Sequence, residues 1–207
     1  MKTTPIILFL GFLTVLYLFG WKDNSNTECE SSKGRILQST GDISFPSSSF
    51  IIKDHFNIYF DIDSTDITML IQCTTPNRYF AIGFGSSGMA GSDIWVFTIS
   101  GGQIHASDRY GAGYFAPPSD TSNGGADDLT LLGYEITSSY SLVKVKRALN
   151  TGDSNDFTIN EGDTDVIYAS GPSRSSVVNH GSTRGHVLAP LRNGVSGVVL
   201  EDESSFS

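Results

Sequence analysis

The sequence predicts an all-β protein, an antiparallel β-sandwich of about eight short strands. Along residues 56–63, FNIYFDID, apolar residues alternate with polar ones, which is the period of a strand with one buried face. Similar short runs, rich in β-branched and aromatic residues, recur between clusters of Gly, Asn, Asp, Ser and Pro. After residue 21 no run sustains the 3.6-residue apolar stripe of an amphipathic helix. Short strands at such intervals are typical of sandwiches and barrels.

The strands are predicted in chain order from their apolar runs. FNIYFDID is followed by a DSTD turn and then by DITMLIQCT, in which every second residue is apolar. The later runs are RYFAIGFG, SDIWVFTI, QIHASDRY, YSLVKVKRAL, TDVIYAS and RGHVLAPL. Residues 111–130 interrupt this pattern with two prolines and four glycines. A loop of this length in a compact domain is usually functional or mobile.

The first 21 residues, MKTTPIILFLGFLTVLYLFGW, differ from everything after them. One Lys followed by an apolar run of about 17 residues predicts a secretory signal peptide, or a signal anchor at the lower length limit for a bilayer. We favour cleavage, and either alternative places the remainder in the secretory lumen or outside the cell. The predicted organisation continues with a polar lead-in at 22–44, a sandwich domain at 45–192 and an acidic tail at 193–207.

The net charge is strongly negative, with 22 acidic residues against 13 basic ones and a formal charge of −9. Without residues 1–21, which carry one Lys and no acid, the charge is −10. An acidic surface with no basic run argues against nucleic acid and anionic lipid as partners. It fits either a basic protein partner or a secreted domain that is acidic for solubility.

The two cysteines, Cys29 and Cys73, are predicted to form a disulfide, because a secreted chain meets an oxidising environment. The alternative is two separate thiols, with Cys73 buried as a small hydrophobe. The sequence has no CxxC motif and no His and Cys spacing suited to zinc.

The sequence around three possible enzymatic or metal-binding motifs argues against a dinucleotide site, a serine hydrolase and an EF-hand. Gly83, Gly85 and Gly88 spell GxGxxG, with Asp108 twenty residues further on, but the next run is a strand and a dinucleotide site needs a helix there. No GxSxG elbow precedes a helix, which argues against a serine hydrolase. DSNDFTINEGD does not match the EF-hand spacing, so calcium is not favoured. Aspartates among Gly, Ser, Thr and Asn usually form turns and face solvent; they are Asp120, Asp127, Asp128, Asp153, Asp156 and Asp163.

Met89 and His180 stand in loops built from small residues, GSSGMAGSD and VVNHGSTRG. A thioether and an imidazole are the axial ligand pair of six-coordinate haems that transfer electrons, with no open iron position for oxygen or substrate. Small neighbours would allow these loops to approach a flat macrocycle closely. His186, six residues after His180, is the alternative for the second ligand.

Several segments together resemble a DOMON domain. They are YFAIGFGSSGMAGSDIWVFTI, DRYGAGYFAPPSD, DDLTLLGYEI, VKRALNTGDSND and DVIYASG with NHGSTRG, and they cover roughly residues 45–192. The resemblance implies an immunoglobulin-like β-sandwich that binds either b-type haem or a sugar-like ligand. In the haem-binding members a Met in the GMxGSD turn and a His near the C-terminal end of the domain are the axial ligands. These positions match Met89 and His180, with His186 as the runner-up.

The resemblance implies a non-catalytic electron-transfer domain that exchanges electrons with a separate redox protein or a membrane cytochrome. Haem b is the expected cofactor. Arg109 and Arg184 are candidates to pair with its propionates, with exposed structural salt bridges as the equal alternative for both. Its walls would come from aromatic residues that could equally be sandwich core: Tyr79, Phe80, Phe84, Trp95 and Tyr110. Two alternatives remain open, a haem-free module that binds a carbohydrate or a protein, and a structural subunit of a membrane assembly.

Overall fold

A computed structural model describes residues 48–52, 55–193 and 198–200. These residues form two β-sheets packed face to face, which confirms the predicted all-β sandwich. The strands are β1 Ser48–Ile52, β2 Phe56–Ile62, β3 Asp66–Cys73, β4 Tyr79–Phe84, β5 Asp93–Ser100, β6 Gln103–Tyr110, β7 Thr130–Ile136, β8 Ser141–Ala148, β9 Thr164–Gly171, β10 Arg184–Ala189 and β11 Val198–Leu200.

The first sheet has six strands in the order β11-β1-β2-β3-β8-β7, and the second has five in the order β10-β9-β4-β5-β6. The pairings between these strands are antiparallel, except that β1 runs parallel to β11. Because β4 and β9 are antiparallel neighbours, the loop that follows β4 and the loop that follows β9 leave opposite ends of the second sheet.

The core lies between the two sheets and follows from the alternation seen in the sequence. Phe56, Ile58 and Phe60 of β2 are at most 1% exposed, whereas Asn57 and Tyr59 between them are only partly buried. The Phe56 ring meets the opposite sheet, where its centroid lies 6.3 Å from that of Phe80. Aromatic pairs at such distances stabilise a core beyond the area that they bury.

Strand β4 is buried along its whole length, although one of its faces points away from the core. A strand covered on both faces needs a second layer over the sheet. Here that layer consists of loops, which cover the outer face of the five-stranded sheet. This covered outer face is where the candidate site lies.

Three strands were not predicted from apolar runs, namely β1, β7 and β11. In β7 the residues Thr130, Leu131 and Leu132 are exposed, and the register shifts between Leu131 and Gly133. An exposed start and a bulge remove the period-two signal on which the prediction depends. The loop before β7 contains a short 3₁₀ turn, Asp120–Asn123.

The predicted leader, the lead-in and most of the acidic tail lie outside the described residues. Cys29 lies outside them too, so the disulfide stays a prediction. Its expected partner Cys73 is 1% exposed on β3, and burial raises the pKa of its thiol to about 11. Within residues 48–52, 55–193 and 198–200, we find no helix long and apolar enough to cross a membrane.

Candidate functional site

The floor of the candidate site is the outer face of the five-stranded sheet. Tyr79 and Ala81 of β4 and Ile94 and Val96 of β5 point outward and pack into one group, the outer apolar cluster. Register places Ala81 opposite both Ala169 of β9 and Val96 of β5. The middle of this face therefore carries short side chains and offers a flat apolar floor.

Two loops fold over this floor from opposite ends of the sheet. The β4–β5 loop, residues 85–92, contributes Met89, and the β9–β10 loop, residues 172–183, contributes Val177. Both side chains are partly buried and pack against the outer apolar cluster. The two loops that the sequence analysis singled out therefore approach the same surface.

Between these loops and the floor lies a cleft of about 1110 Å³. Met89 and His180 both line it, as do Arg184 and His186. The loop after β6 closes another side with residues 114–117, of which Tyr114 is 88% and Phe115 60% exposed. This volume lies just above the usual range for small-molecule and cofactor sites, roughly 300–1,000 Å³, so the cleft is large enough for a cofactor.

Met89 is held by a turn whose backbone is tied to the end of β6. The buried Ser92 hydroxyl donates to the Gly88 carbonyl at 2.7 Å. The Gly91 N–H donates to the Gly111 carbonyl at 2.7 Å, and the Gly111 N–H donates to the Ser92 carbonyl at 2.8 Å. Gly91 has φ +82°, which favours glycine. These contacts hold the turn from which Met89 lines the cleft.

Gly111 must lack a side chain, because a Cβ atom there would lie 1.8 Å from the Met89 carbonyl oxygen. We expect Gly111→Ala to lower the free energy of unfolding by about 1–3 kcal/mol through overpacking. Gly88→Ala is the matched control, since a Cβ at Gly88 meets nothing within 4 Å. Urea unfolding of both variants measures the difference. Equal stabilities would contradict the described contact between Gly111 and the Met89 turn.

His180 lies partly buried at the other side of the cleft. Its Nδ1 is 3.2 Å from the Gly181 carbonyl oxygen, and the Gly181 N–H donates to the Asn179 side chain at 2.8 Å. A proton on Nδ1 that donates to this carbonyl leaves the lone pair on Nε2, which is the form that ligates a metal.

His186, the alternative ligand, lies on β10 and also lines the cleft. Its Nε2 is 2.6 Å from Asp165 Oδ1, and the residue is only 7% exposed. This nitrogen already has a carboxylate partner, whereas the nearest described partner of His180 is a backbone carbonyl. Metal-ligating histidines commonly bond a carboxylate or a carbonyl through their other ring nitrogen, so both contacts are compatible with ligation. The choice of His180 over His186 as the second ligand stays a prediction.

Three of the aromatic residues expected at the cofactor walls lie elsewhere. Phe80, Phe84 and Trp95 point to the inner side of their sheet, where each is 0% exposed and belongs to the sandwich core. Phe84 and Trp95 pack edge to face, with ring centroids 4.8 Å apart. Their expected place at the cleft wall is corrected, because alternation along a strand sends neighbouring residues to opposite faces.

Tyr79 does line the cleft, and its hydroxyl donates to the Val178 carbonyl, which fastens the β9–β10 loop to the floor. Tyr110, by contrast, lies at the end of β6 and does not line the cleft.

The two arginines expected to bind propionates differ in position. Arg184 is exposed at the cleft and donates to the Gly181 carbonyl at 3.1 Å. Arg109 does not line the cleft, but it donates to the Pro117 carbonyl at 2.8 Å and so holds the loop that forms one wall. Arg184 is therefore the better placed of the two to meet an anionic group in the cleft.

Sequence reasoning did not single out Ser92, Gly111, Tyr114 and Phe115. Ser92 and Gly111 act through the backbone of the Met89 turn, and no local pattern reports a contact between segments 20 residues apart. The adjacent aromatic pair in GAGYFAPP could have indicated a binding surface. Two aromatic residues in a loop of Gly and Pro do not belong to a strand that would bury them in the core, so they are expected to be exposed.

Comparison with known proteins agrees with this architecture. The structure resembles the cytochrome b domain of pyranose dehydrogenase from Coprinopsis cinerea, with 17% identity, a TM-score of 0.50 and coverage of 68% of this chain and 78% of that one. It also resembles the cytochrome domain of Myriococcum thermophilum cellobiose dehydrogenase, with 13% identity, a TM-score of 0.49 and coverage of 68% and 76%. No curated protein sequence matches the chain. The sequence model of the DOMON domain matches residues 53–171, more than half of the chain, which therefore belongs to the DOMON domain family.

Proposed function

We propose that this protein is a b-type haem-binding domain that transfers electrons, with Met89 and His180 as axial ligands. One observation carries the proposal: both side chains, from loops at opposite ends of one sheet, line the same cleft over an apolar floor. The likeness to a cytochrome b domain supports the choice of cofactor. Bound haem would supply an iron that cycles between two oxidation states without an open coordination position.

The residues around the cleft fit such a group. The outer apolar cluster would cover a porphyrin face or edge, and Tyr114 and Phe115 would shield it from water on the side of the 111–130 loop. Arg184, at the exposed rim, would pair with a propionate. A thioether opposite an imidazole raises the reduction potential relative to two imidazoles. With both axial positions filled, the domain would exchange electrons with a separate redox protein or a membrane cytochrome.

The first test is an absorption spectrum of the full chain, expressed with haem available and recorded before and after dithionite. We expect a Soret band that sharpens on reduction, with resolved α and β bands. Met89→Leu and His180→Gln should each abolish this six-coordinate spectrum, because each removes one axial donor. A folded protein that stays colourless and takes up no added haemin would refute the proposal.

Matched controls separate ligation from folding. His105→Gln changes an exposed histidine of β6 at the edge of the same sheet, and Met69→Leu changes a fully buried core methionine. Both should keep the reduced spectrum, since neither residue lines the cleft. His186→Gln should also keep it, and loss of the spectrum in that variant alone would transfer the second ligand from His180 to His186.

The second candidate function is a haem-free module that binds a carbohydrate, favoured by the two exposed aromatic rings at the cleft. Tyr114 and Phe115 could stack on a sugar ring without any contribution from Met89. Tyr114→Ala/Phe115→Ala would then abolish retention on polysaccharide resin, whereas Met89→Leu would not. If the wild type binds haem and elutes from the polysaccharide resin no later than from a resin without polysaccharide, this candidate is excluded.

A further inference from the structure

The acidic and the basic residues of the sandwich are separated between its two ends. Because each strand crosses the sandwich, the loops after odd-numbered strands share one end and the loops after even-numbered strands share the other. We call them the His180 end and the Met89 end, after the loops that they carry. At the Met89 end, the loops 63–65, 111–129 and 149–163 carry eight acidic residues, and the adjoining strand ends carry five more. These are thirteen of the fourteen acidic residues that the structure describes.

The His180 end carries arginines instead. Its loops are 53–55, 74–78, 101–102, 137–140 and 172–183. The described residues of these loops include no Asp or Glu, whereas Arg78 and Arg174 lie in two of them and Arg184 begins β10 directly after the last. Lys53 and Asp54, which lie outside the described residues, cancel in charge. The local charge of this end is therefore positive on a chain whose net charge is −9.

One acidic residue, Glu135, lies in the same half of the sandwich but belongs to another surface. It follows the core residue Tyr134 on β7, so it points to the outer face of the six-stranded sheet. Its carboxylate accepts a hydrogen bond from the Tyr140 hydroxyl at 3.0 Å. Glu135 therefore does not neutralise the arginines of the five-stranded sheet.

The three arginines are available to a partner. Within the part of the chain that the structure describes, Arg78, Arg174 and Arg184 have no carboxylate oxygen within 4 Å. Arg174 and Arg184 are exposed, and Arg78 is half-buried. Arg174 Nη1 lies 3.5 Å from Asn77 Oδ1, and Arg184 Nη1 donates to the Gly181 carbonyl at 3.1 Å. The remaining N–H groups of these guanidinium forks suit bidentate pairing with carboxylates.

The loop that carries Arg174 is fixed to the sheet by its backbone. The Tyr79 N–H donates to the Ser173 carbonyl at 2.7 Å, and the Ile99 N–H donates to the Arg174 carbonyl at 2.5 Å. The Tyr79 hydroxyl holds the same loop at Val178, whose side chain is 41% exposed beside the arginines of the loop. A surface held in this way loses little conformational entropy when a partner binds.

The distance between the two ends decides which charge a partner meets. A strand of eight residues such as β5 is about 26 Å long, at about 3.3 Å per residue. The Debye length at physiological ionic strength is about 8 Å, so the acidic residues of the Met89 end are screened from a partner at the His180 end. The net charge, which would suit a basic partner, therefore does not determine what binds there.

We propose that the His180 end docks an acidic protein surface through Arg78, Arg174 and Arg184, with Val178 as an apolar contact. Arginine is enriched in protein interfaces, where its fork pairs with carboxylates. An anionic membrane suits this end less well, because lipid-binding clusters hold about 4–8 basic residues and this end has three. His180 and Arg184 line the cleft at the same end. The docked protein is therefore the redox partner, a step that rests on the proposed function.

Polyglutamate serves as the probe of an acidic surface, titrated into the ¹⁵N-labelled full chain at low ionic strength and followed by NMR. We expect amide shifts concentrated in residues 74–78 and 172–184, and their loss in high salt. Arg174→Glu should weaken binding by about three- to tenfold. The matched control is Arg192→Glu, which makes the same change of net charge at the Met89 end. Both arginines are exposed and each makes one described hydrogen bond at 3.5 Å, so the control should bind as the wild type does.

The redox step is tested on the haem-loaded chain by stopped flow. The reduced chain gives one electron to ferricyanide, which becomes ferrocyanide. We expect the rate constant to fall as the ionic strength rises, although the chain and the oxidant are both anionic, because the local charge attracts the oxidant. Arg174→Glu should remove this dependence and Arg192→Glu should keep it. Both variants should keep the absorption spectrum, since neither residue lines the cleft.

The two arms separate the docking surface from the proposed function. Absence of amide shifts at the His180 end, or equal weakening in both variants, would overturn the docking surface. Binding to phosphatidylserine vesicles by a chain that does not respond to polyglutamate would assign this end to a membrane and overturn it as well. A rate constant that rises with ionic strength in a chain with the haem spectrum would overturn the acidic redox partner. Polyglutamate binding at this end by a chain that takes up no haem would support the docking surface and refute only the proposed function.

Discussion

Replacing Arg147 with methionine is expected to lower the free energy of unfolding by about 3–5 kcal/mol, because it leaves buried carboxylates without their counter-ion. The Arg147 side chain is 0% exposed, and the side chain of its partner Asp93 is 1% exposed. Its guanidinium also lies 4.9 Å from the centroid of the Trp95 ring. Methionine keeps the approximate volume, so the loss reports the charge and its hydrogen bonds rather than a cavity.

The neighbouring residue on β8 supplies the control for this experiment. Lys146 forms an ion pair with Asp66 at 3.0 Å, with side chains that are 39% and 25% exposed. Because such pairs are screened by water, Lys146→Met should cost about 0–1 kcal/mol. Urea unfolding measures both variants. The double variant Arg147→Met/Asp93→Asn should recover part of the loss, and equal costs for Arg147→Met and Lys146→Met would contradict the buried ion pair.

The fold could be predicted because its signal is local. Eight of the predicted runs coincide with β2 to β6 and β8 to β10. A strand with one face on the core and the other toward solvent has alternating apolar and polar residues, and this alternation is visible in the sequence. Strands β1 and β11 were missed because their apolar runs, FII and VVL, are too short to show alternation, and β7 was missed because its first three residues are exposed. Leu131 and Leu132 of β7, for example, are exposed at the edge of a sheet and give no inward stripe.

The site was predicted less completely, because its residues depend on which face of a strand points outward. Met89 and His180 could be found as unusual residues in loops of small ones. Trp95 and Ile94 are adjacent in the sequence, yet Trp95 lies in the core and Ile94 lines the cleft. The expectation that Asp120 and Asp156 face solvent was wrong for a related reason. The sequence around Asp120 and Asp156 is that of a solvated turn, and only the packing of two loops against β5 and β6 buries these carboxyl groups.

The protein is also expected to lose stability as the pH rises, unlike proteins whose carboxylates are paired, because the carboxyl groups of Asp93, Asp108 and Asp120 are buried. Burial is the largest cause that raises the pKa of Asp108, to about 9, with repulsion from Asp93 and Asp156 adding to it. Burial likewise raises the pKa of Asp120 to about 7 and that of Asp93 to about 6, where it outweighs the attraction of Arg147. Each folded-state pKa therefore stands above its unfolded value of 3.8.

Between these two values the folded state binds more protons than the unfolded state, so the free energy of unfolding falls as the pH increases. The fall begins near pH 4, continues to about pH 6 for Asp93 and pH 7 for Asp120, and reaches about pH 9 for Asp108. Its total should be on the order of a few kcal/mol. Urea unfolding at pH 5, 7 and 8.5 measures it. Asp108→Asn should reduce the slope, because an amide does not titrate. Stability that increases from pH 5 to pH 8.5 would show that these carboxyl groups are ionised in the folded protein, with a counter-charge that the described residues do not supply.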